Sequence, residues 1–416
     1  MEIIEVQKGD TLDILSGQYD LSPETIRTVN GIRGNCLAPG EALLLPKAAV
    51  HIVHHGETLR SIAHTYGIPI PLWIKENALS HAERLHVGDR LTIPERPKFR
   101  ADINAYVEPT FIERNALLLQ ETRPVLSMLS LLGGRLEPET GIVLPDDVMA
   151  RSYARTQGIL PMLVIHNDDQ GRFSQSMAHA FLHDRAWQMR LLDTLVRAQE
   201  ERGYGAVQFD LEHVHPDDRD AYSEFLKFAV PRLNRAGLLV STALPPRTEG
   251  SLERDGYDYA VHGALANFVV LMTYEWGWAG GPPLPIAPLP EVKKVLAYAL
   301  TVIPRHKIML GAPLYGYDWT LPYQKGVPPA RVLGVREAVD VACRSGATIQ
   351  FDDEAKAPFF RYVDRRGLGH MVWFEDVRSL WAKIRLVEQF RLRGLSLWQL
   401  ARSYPAAWTL MRWRLA

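Results

Sequence analysis

The sequence predicts an α/β protein: a (β/α)8 TIM barrel with a small α+β insertion after strand seven, preceded by two β-α-α-β modules. Three observations support this prediction. The N-terminal quarter contains an internal repeat, eight strand-like runs alternate with helical segments beyond it, and one central stretch alternates apolar and polar side chains with period two. The chain has 416 residues, which accommodates both modules and a barrel of about 250 residues or more.

The internal repeat defines the two N-terminal modules. The stretch 6–12 (VQKGDTL) returns as 53–59 (VHHGETL), a glycine turn whose threonine can cap a following helix. This pattern resembles the LysM module, over 2–46 for the first copy and 51–95 for the second. The resemblance implies binding to N-acetylglucosamine-containing glycans such as peptidoglycan and chitin, with avidity from two copies along one polymer. The alternative is a repeat that mediates protein contacts only.

The segment 94–98 carries prolines and charges and is the expected boundary to a third domain over 99–416. Beyond it, strands alternate with helical segments, which is typical of a barrel with its active site at the carboxyl ends of the strands. One connection is too long for a simple loop, so an insertion is expected at about 320–375. The predicted barrel strands are 102–107, 125–132, 160–166, 206–214, 238–243, 268–274, 307–314 and 394–400.

The fourth predicted strand carries a row of polar side chains on one face. Because successive side chains of a strand alternate, Gln208, Asp210 and Glu212 point the same way, opposite to the apolar residues between them. Burial of ionised groups without partners costs several kcal/mol or shifts their pKa. Such a row therefore indicates a functional site. A solvated edge strand is the alternative.

The two carboxylates suit acid catalysis of glycoside hydrolysis. A neighbouring Asp210 raises the pKa of Glu212, so that Glu212 can hold a proton near neutral pH. A glycosidase with two separate carboxylates needs them on either side of the scissile bond. Two acids on one strand suit substrate assistance better, in which the 2-acetamido group of the sugar is the nucleophile and the second carboxylate orients it.

The segment 205–212 resembles the catalytic motif of glycoside hydrolase family 18, usually written DxxDxDxE. Its last two acids match Asp210 and Glu212, whereas Gly205 and Gln208 stand where the family has aspartates. The amide of Gln208 can hydrogen-bond but cannot titrate, which alters how charge is shared below Asp210.

Further segments are similar to the branch of this family found in spore germination proteins, the spore cortex-lytic N-acetylglucosaminidases, which also carry two N-terminal LysM modules. These segments are 271–283, 314–319, 357–360 and 372–376. The resemblance implies that Tyr274 supports catalysis by hydrogen-bonding the N-acetyl group. It also places Met272 beside Tyr274 on strand six and Trp398 under the sugar. Two more strand-end residues, Tyr106 and His166, are expected to contact substrate together with Gln208.

The composition excludes several other classes of protein. A formal net charge of −1 provides no field for nucleic acid, and no apolar run is long enough to insert into a membrane. A monomer without cofactor is expected. The two cysteines, Cys36 and Cys343, are far apart in the sequence and are predicted to be unpaired thiols. No metal site is predicted, because the histidines considered lack a metal-binding spacing; these are His54, His55, His213 and His215.

The sequence thus predicts a peptidoglycan hydrolase that cleaves the β-1,4 bond after N-acetylglucosamine with retention of configuration. Its LysM modules would bind the glycan, and spore cortex is the substrate that the resemblance implies. The alternatives are a chitinase-like hydrolase and a catalytically silent glycan-binding coat protein. No secretory signal is visible, so a location on the spore, at cortex or coat, or in the cell wall is an expectation from the resemblance.

Overall fold

The chain folds into two small modules and a closed barrel, in a computed structural model that describes residues 1–46, 50–79, 85–94, 98–114, 122, 125–169, 171–249, 256–325 and 329–415. The predicted boundary residues 95–97 lie outside the described residues. None of the helices in these ranges combines the length and the hydrophobicity that a membrane span requires.

Each N-terminal module is a β-α-α-β unit, as predicted. The first contains β1 (Glu2–Glu5), α1 (Leu12–Tyr19), α2 (Pro23–Asn30) and β2 (Ala42–Leu45). The second contains β3 (Val50–Ile52), α3 (Leu59–Tyr66), α4 (Ile70–Glu76) and β4 (Arg90–Thr92). In both, the two strands pair antiparallel. The repeated threonines cap the first helices: Thr11 accepts from the N–H of Ile14, and Thr58 accepts from that of Ser61.

The third part of the chain is an alternating succession of strands and helices. In chain order it contains β5 (Asp102–Val107), α5 (Pro109–Arg114), β6 (Met128–Glu137), β7 (Gly141–Val143), α6 (Val148–Thr156), β8 (Leu160–His166), β9 (Asp168–Asp169), β10 (Arg172–Phe173), α7 (Gln175–His183), α8 (Arg185–Arg202), β11 (Ala206–Asp210), α9 (Arg219–Arg235), β12 (Leu239–Leu244), α10 (Tyr259–Leu265), β13 (Phe268–Leu271), α11 (Leu289–Val302), β14 (Ile308–Pro313), β15 (Tyr315–Leu321), β16 (Arg331–Gly334), α12 (Val335–Ser345), β17 (Gln350–Asp352), β18 (Ala357–Val363), β19 (Gly369–Trp373), α13 (Val377–Phe390), β20 (Gly394–Trp398) and α14 (Pro405–Arg414).

Eight of these strands close into the predicted parallel barrel. The order is β5, β6, β8, β11, β12, β13, β14 and β20, and β20 pairs with β5 to complete the circle. The predicted insertion is also present after the seventh barrel strand, as an antiparallel sheet of β15 to β19 with α12. The predicted fold class is therefore confirmed.

The ends of several barrel strands differ from the prediction. The fourth strand is predicted over 206–214 but ends at Asp210, because the backbone at Glu212 bonds to the side chain of Asn167 rather than to a neighbouring strand. The sixth strand ends at Leu271 instead of at 274. The second runs from 128 to 137 rather than from 125 to 132.

The barrel interior is apolar at one end and polar nearer the other. A buried cluster fills one layer with Met128, Met162, Ala206, Phe268, Val270 and Met309. Nearby, the amide of Asn104 donates to the hydroxyl of Ser396 at 2.9 Å and accepts from that of Ser130 at 2.8 Å. These bonds satisfy polar groups that would otherwise be costly to bury.

The insertion also anchors the first module, and this contact corrects the prediction of two unpaired thiols. Cys36 forms a disulfide with Cys343 of α12, with Cα atoms 6.2 Å apart. Sequence separation concealed the pair, because the two cysteines are 307 positions apart and meet only when the module packs on the insertion. Gly40 contributes to this packing: its φ is +82°, and a Cβ there would lie 1.8 Å from the carbonyl oxygen of Ile349.

Candidate active site

The fourth barrel strand, β11, positions the row of polar side chains at the centre of the barrel. It pairs in parallel with β8 on one side and β12 on the other, so the alternative of a solvated edge strand is wrong. Phe209 packs outward against Phe225 of α9, with ring centroids 5.0 Å apart. Because side chains alternate along a strand, Gln208 and Asp210 point to the opposite side, into the barrel.

Gln208 is fully buried and hydrogen-bonds in both directions. Its Oε1 accepts from the hydroxyl of Tyr106 at 2.6 Å, and its Nε2 donates to the hydroxyl of Ser241 at 3.1 Å. The amide thus connects the first, fourth and fifth barrel strands. A buried amide with both ends satisfied fixes the floor of the site without carrying a charge.

Asp210 is also buried, at 4 % exposure, and its two carboxylate oxygens have different surroundings. Its Oδ2 lies 3.4 Å from Nδ1 of His166 at the end of β8. Its Oδ1 is buried and has no hydrogen-bond partner among the described residues. A buried carboxylate oxygen without a donor is costly. We infer that this oxygen is held ready to accept a hydrogen bond from a ligand.

Glu212 follows the strand and is held by its backbone. The side chain of Asn167 accepts from the N–H of Glu212 and donates to its carbonyl, each at 2.8 Å. Asn167 is fully buried and donates as well to the carbonyl of Ser174. These bonds fix the backbone that carries the carboxyl group of Glu212.

The surroundings of Glu212 favour its protonated form. Burial in the cleft, followed by the negative charges of Asp210 and Glu275, raises the pKa of Glu212 to about 8. The carboxyl group of Glu212 therefore carries a proton at neutral pH. Such a group can act as a general acid.

Glu275 is a second group that the sequence analysis missed. Its Oε1 accepts from the hydroxyls of Tyr315 at 2.9 Å and Tyr317 at 2.8 Å, both on β15 of the insertion. Two phenols of the insertion therefore hold the carboxylate of Glu275, whose charge acts on Glu212. Only the charge of Glu275 was visible in the sequence, because its partners lie some forty residues further along the chain.

Aromatic side chains surround the carboxylates at the strand ends. The ring of Trp398, the last residue of β20, lies 5.1 Å from that of Tyr106 and 6.5 Å from that of Tyr274, with which it is stacked. Burial, with the charges of Asp210 and Glu212 among the further causes, raises the pKa of Tyr274 well above its ordinary value. The phenol of Tyr274 therefore keeps its proton at neutral pH and can donate a hydrogen bond.

A cleft of about 510 Å³ opens in front of Glu212. Met272, which follows the sixth strand, is one of its lining residues. Other residues along its walls are Phe173, Gln175, His213, Val214, Pro216, Pro245 and Tyr257. An open cleft with Glu212 in its wall suits an extended substrate better than an enclosed small molecule.

The structure brings the predicted site residues to one end of the barrel, at the carboxyl ends of its strands. Gln208 and Asp210 lie on the fourth strand, and Tyr106, His166 and Trp398 lie on the first, third and eighth. Glu212 follows the end of the fourth strand, and Met272 and Tyr274 follow the end of the sixth. His166 contacts Asp210, and its ring also packs on Phe173 at 5.8 Å. The arrangement can donate a proton from Glu212 and accept a hydrogen bond at Asp210.

Comparisons with known proteins show the families to which the chain is similar. The family described as Glycosyl hydrolases family 18 matches residues 156–402, and the LysM domain matches 4–46 and 51–94. The chain is 38 % identical over 419 residues to the cortical fragment-lytic enzyme of Bacillus subtilis (strain 168), covering 99 % of this chain and 97 % of the relative.

Solved structures of related enzymes have the same fold over most or all of this chain. The spore cortex-lytic enzyme SleL of Bacillus cereus superposes with a TM-score of 0.88 at 34 % identity, over 100 % of this chain and 98 % of that one. A chitinase from Chromobacterium violaceum superposes with a TM-score of 0.69 at 24 % identity, over 75 % and 98 % of the two chains, which is a likeness of fold.

Proposed function

Because the chain belongs to glycosyl hydrolases family 18, we propose that it hydrolyses spore cortex peptidoglycan at the β-1,4 bond after N-acetylglucosamine. Two relatives that cover nearly its whole length are named for lysis of cortex or cortical fragments. The enzyme is a glycoside hydrolase, and its two LysM domains suit a polymeric glycan. We extend the relatives' substrate to this chain, together with a location at the spore cortex or cell wall.

The observation that carries the mechanism is the buried Oδ1 of Asp210, which has no hydrogen-bond partner in the described part of the chain and belongs to the carboxylate whose charge helps to raise the pKa of Glu212. In the first step, Glu212 donates its proton to the glycosidic oxygen while the carbonyl oxygen of the 2-acetamido group attacks C1, and the C1–O bond breaks. The acetamido nitrogen gains positive character, and its N–H donates to Oδ1 of Asp210. The buried negative charge of Asp210 stabilises this cyclic intermediate.

In the second step, Glu212 acts as a base. It removes a proton from a water molecule that attacks C1 and opens the ring, which regenerates the acetamido group and the acid form of Glu212. Two inversions at C1 give net retention of configuration. Tyr274 donates its hydroxyl to the acetamido carbonyl oxygen, and the indole of Trp398 supports the sugar ring.

Gln208 and Tyr106 act below this pair, since they bond to each other in the fully buried floor of the site. His166 partners the other oxygen of Asp210 and keeps Oδ1 directed at the substrate. Met272 forms part of the cleft wall. These roles complete a single subsite for N-acetylglucosamine.

The test is mass spectrometry of cortex fragments after digestion by the wild type and by Glu212→Gln, with borohydride reduction to mark each new reducing end. The proposal predicts reduced N-acetylglucosamine at the new ends and no product from the variant. A reduced muramic acid end would contradict the assigned bond. Release of product from chitin but not from cortex would favour a chitinase, and binding without product from either protein would favour a silent glycan-binding protein.

A further inference from the structure

We propose that the chain holds a divalent transition-metal ion, Zn²⁺, between His179, His183 and Asp218, which lie on two segments whose first residues line the substrate cleft. The two histidines lie on α7, and Asp218 ends a short 3-10 turn over Pro216–Asp218 that precedes α9. One ligand atom from each residue lies within 4.8 Å of the others. No metal site is predicted from the sequence, in which the spacing of other histidines, His54, His55, His213 and His215, argues against one.

The helix presents both imidazoles to the same point. Residues four apart on an α-helix lie on one face, one turn above the other. The ring centroids of His179 and His183 are 4.6 Å apart, and the two rings converge on a single oxygen. Nδ1 of His179 lies 2.8 Å from Oδ1 of Asp218, and Nε2 of His183 lies 2.9 Å from the same atom.

Asp218 supplies the observation that points to a cation. Its side chain is 1 % exposed, whereas those of His179 and His183 are 61 % and 51 % exposed. Its Oδ2 is buried and has no hydrogen-bond partner among the described residues. The two imidazoles hydrogen-bond to Oδ1, but a carboxylate oxygen such as Oδ2 that is buried without a donor is costly. A cation bound between the three side chains would neutralise it.

The donor set and the distances fit zinc. Two imidazole nitrogens and one carboxylate oxygen, with water in the fourth position, are a common tetrahedral zinc set. Zinc–ligand bonds of about 2.0–2.1 Å place tetrahedral ligand atoms about 3.3 Å apart. The separations of the two imidazole nitrogens from Oδ1, 2.8 and 2.9 Å, need to widen by about half an ångström, and the two nitrogens lie within 4.8 Å of each other. The exposed imidazoles can make that movement, and they leave the site open for entry of the ion from solvent.

The position of the cluster gives the ion a consequence for the cleft. Gln175, the first residue of α7, and Pro216, the first residue of the turn, both line the cleft that contains Glu212. A metal that joins His179 and His183 to Asp218 would therefore fasten together two segments of the cleft wall. The segment from Glu212 to Asp218 would be fixed at both ends, by Asn167 at the start and by the ion at the finish.

The experiment is isothermal titration of the full-length, untagged, EDTA-treated and dialysed protein with Zn²⁺, accompanied by thermal unfolding with and without the ion. We expect one tight equivalent of Zn²⁺ and a higher Tm when it is bound. His179→Ala and His183→Ala should each weaken binding about 100-fold or more, since they remove a direct ligand. Both residues are exposed, so these variants should fold.

His306→Ala is the matched control, because His306 is exposed, lies on another short turn and belongs to no such cluster among the described residues. It should bind Zn²⁺ as the wild type does. The proposal is overturned if the wild type binds no tight equivalent, or if the His179 and His183 variants bind with the affinity of the control. This readout is independent of glycan cleavage, so it remains valid even if the proposed substrate is wrong.

Discussion

The pKa of Glu212 leads to a quantitative prediction about catalysis. With a pKa of about 8, about 90 % of the molecules carry the catalytic proton at pH 7. An ordinary glutamic acid would be protonated in only about 0.3 % of molecules at that pH. Burial and the two neighbouring carboxylates thus increase the active acid form about 300-fold. The rate should stay high to about pH 8 and fall tenfold per pH unit above it.

The perturbation is Glu212→Gln, which keeps the shape of the side chain and removes the proton. We expect the rate of cortex fragment cleavage to fall about 1,000-fold or more, because general acid catalysis contributes 10²–10⁴-fold and the natural sugar is a poor leaving group. The assay is fluorescent labelling of new reducing ends, followed over pH 5 to pH 10. Natural fragments are required, since activated aryl glycosides depend little on an acid.

Asp210→Asn tests the cause of the raised pKa separately from the acid itself. Removal of a negative neighbour lowers the pKa of Glu212. The alkaline limb of the pH–rate profile, where activity falls as the pH rises, should therefore move to lower pH, and the maximum cleavage rate should also fall. The reasoning would be refuted by a wild-type limb near pH 5, by a limb that stays in place in the Asp210 variant, or by a cleavage rate of the Glu212→Gln variant within tenfold of the wild type.

Four further predictions follow from the same contacts. The pKa of Glu212 is raised in the folded state, so its ionisation destabilises the fold as the pH rises from about 4.5 to 8. Glu212→Gln removes this effect, and its Tm should therefore exceed that of the wild type by a margin that grows over this pH range, as measured by differential scanning calorimetry. Asn167→Ala should lower the free energy of unfolding by about 2 kcal/mol in urea titrations and kcat about tenfold. Asn167→Asp should destabilise at least as much, because it keeps the acceptor for the N–H of Glu212 but buries a carboxylate against the carbonyls of Ser174 and Glu212. Replacing both Cys36 and Cys343 by serine should cost about 2–4 kcal/mol and expose the first module to limited proteolysis; reductant should reproduce this in the wild type and change nothing in the variant. Gln208→Glu adds a fully buried charge, so it should lower the Tm and move the alkaline limb to higher pH; a limb that stays in place would contradict the electrostatic argument.

Local patterns in the sequence predicted the architecture well. The period-two alternation identified the fourth strand and its polar face, and the repeated Thr11 and Thr58 cap the helices they were expected to cap. The long interval after the seventh strand identified the insertion. These features depend on neighbours within a few residues, which is why a single sequence reveals them.

The ends of the strands were predicted less well. Glu212 and Tyr274 continue the alternation of their strands, yet both lie beyond the last ladder bond. The backbone of Glu212 instead bonds to Asn167, which is 45 positions earlier. A strand ends where its partners end, and the identity of the partner does not appear in the strand's own sequence.

The sequence by itself determined the repeated modules, the alternation of strands and helices, and the pair of acids that a glycosidase needs. Only the tertiary structure decided what surrounds them. It placed Glu275 and its phenols near Glu212, joined Cys36 to Cys343, and brought Asp218 to two histidines on a neighbouring helix. The physical reason is that pKa values, disulfides and metal sites depend on distances of a few ångströms between side chains, and for groups far apart in the sequence those distances exist only once the chain has folded.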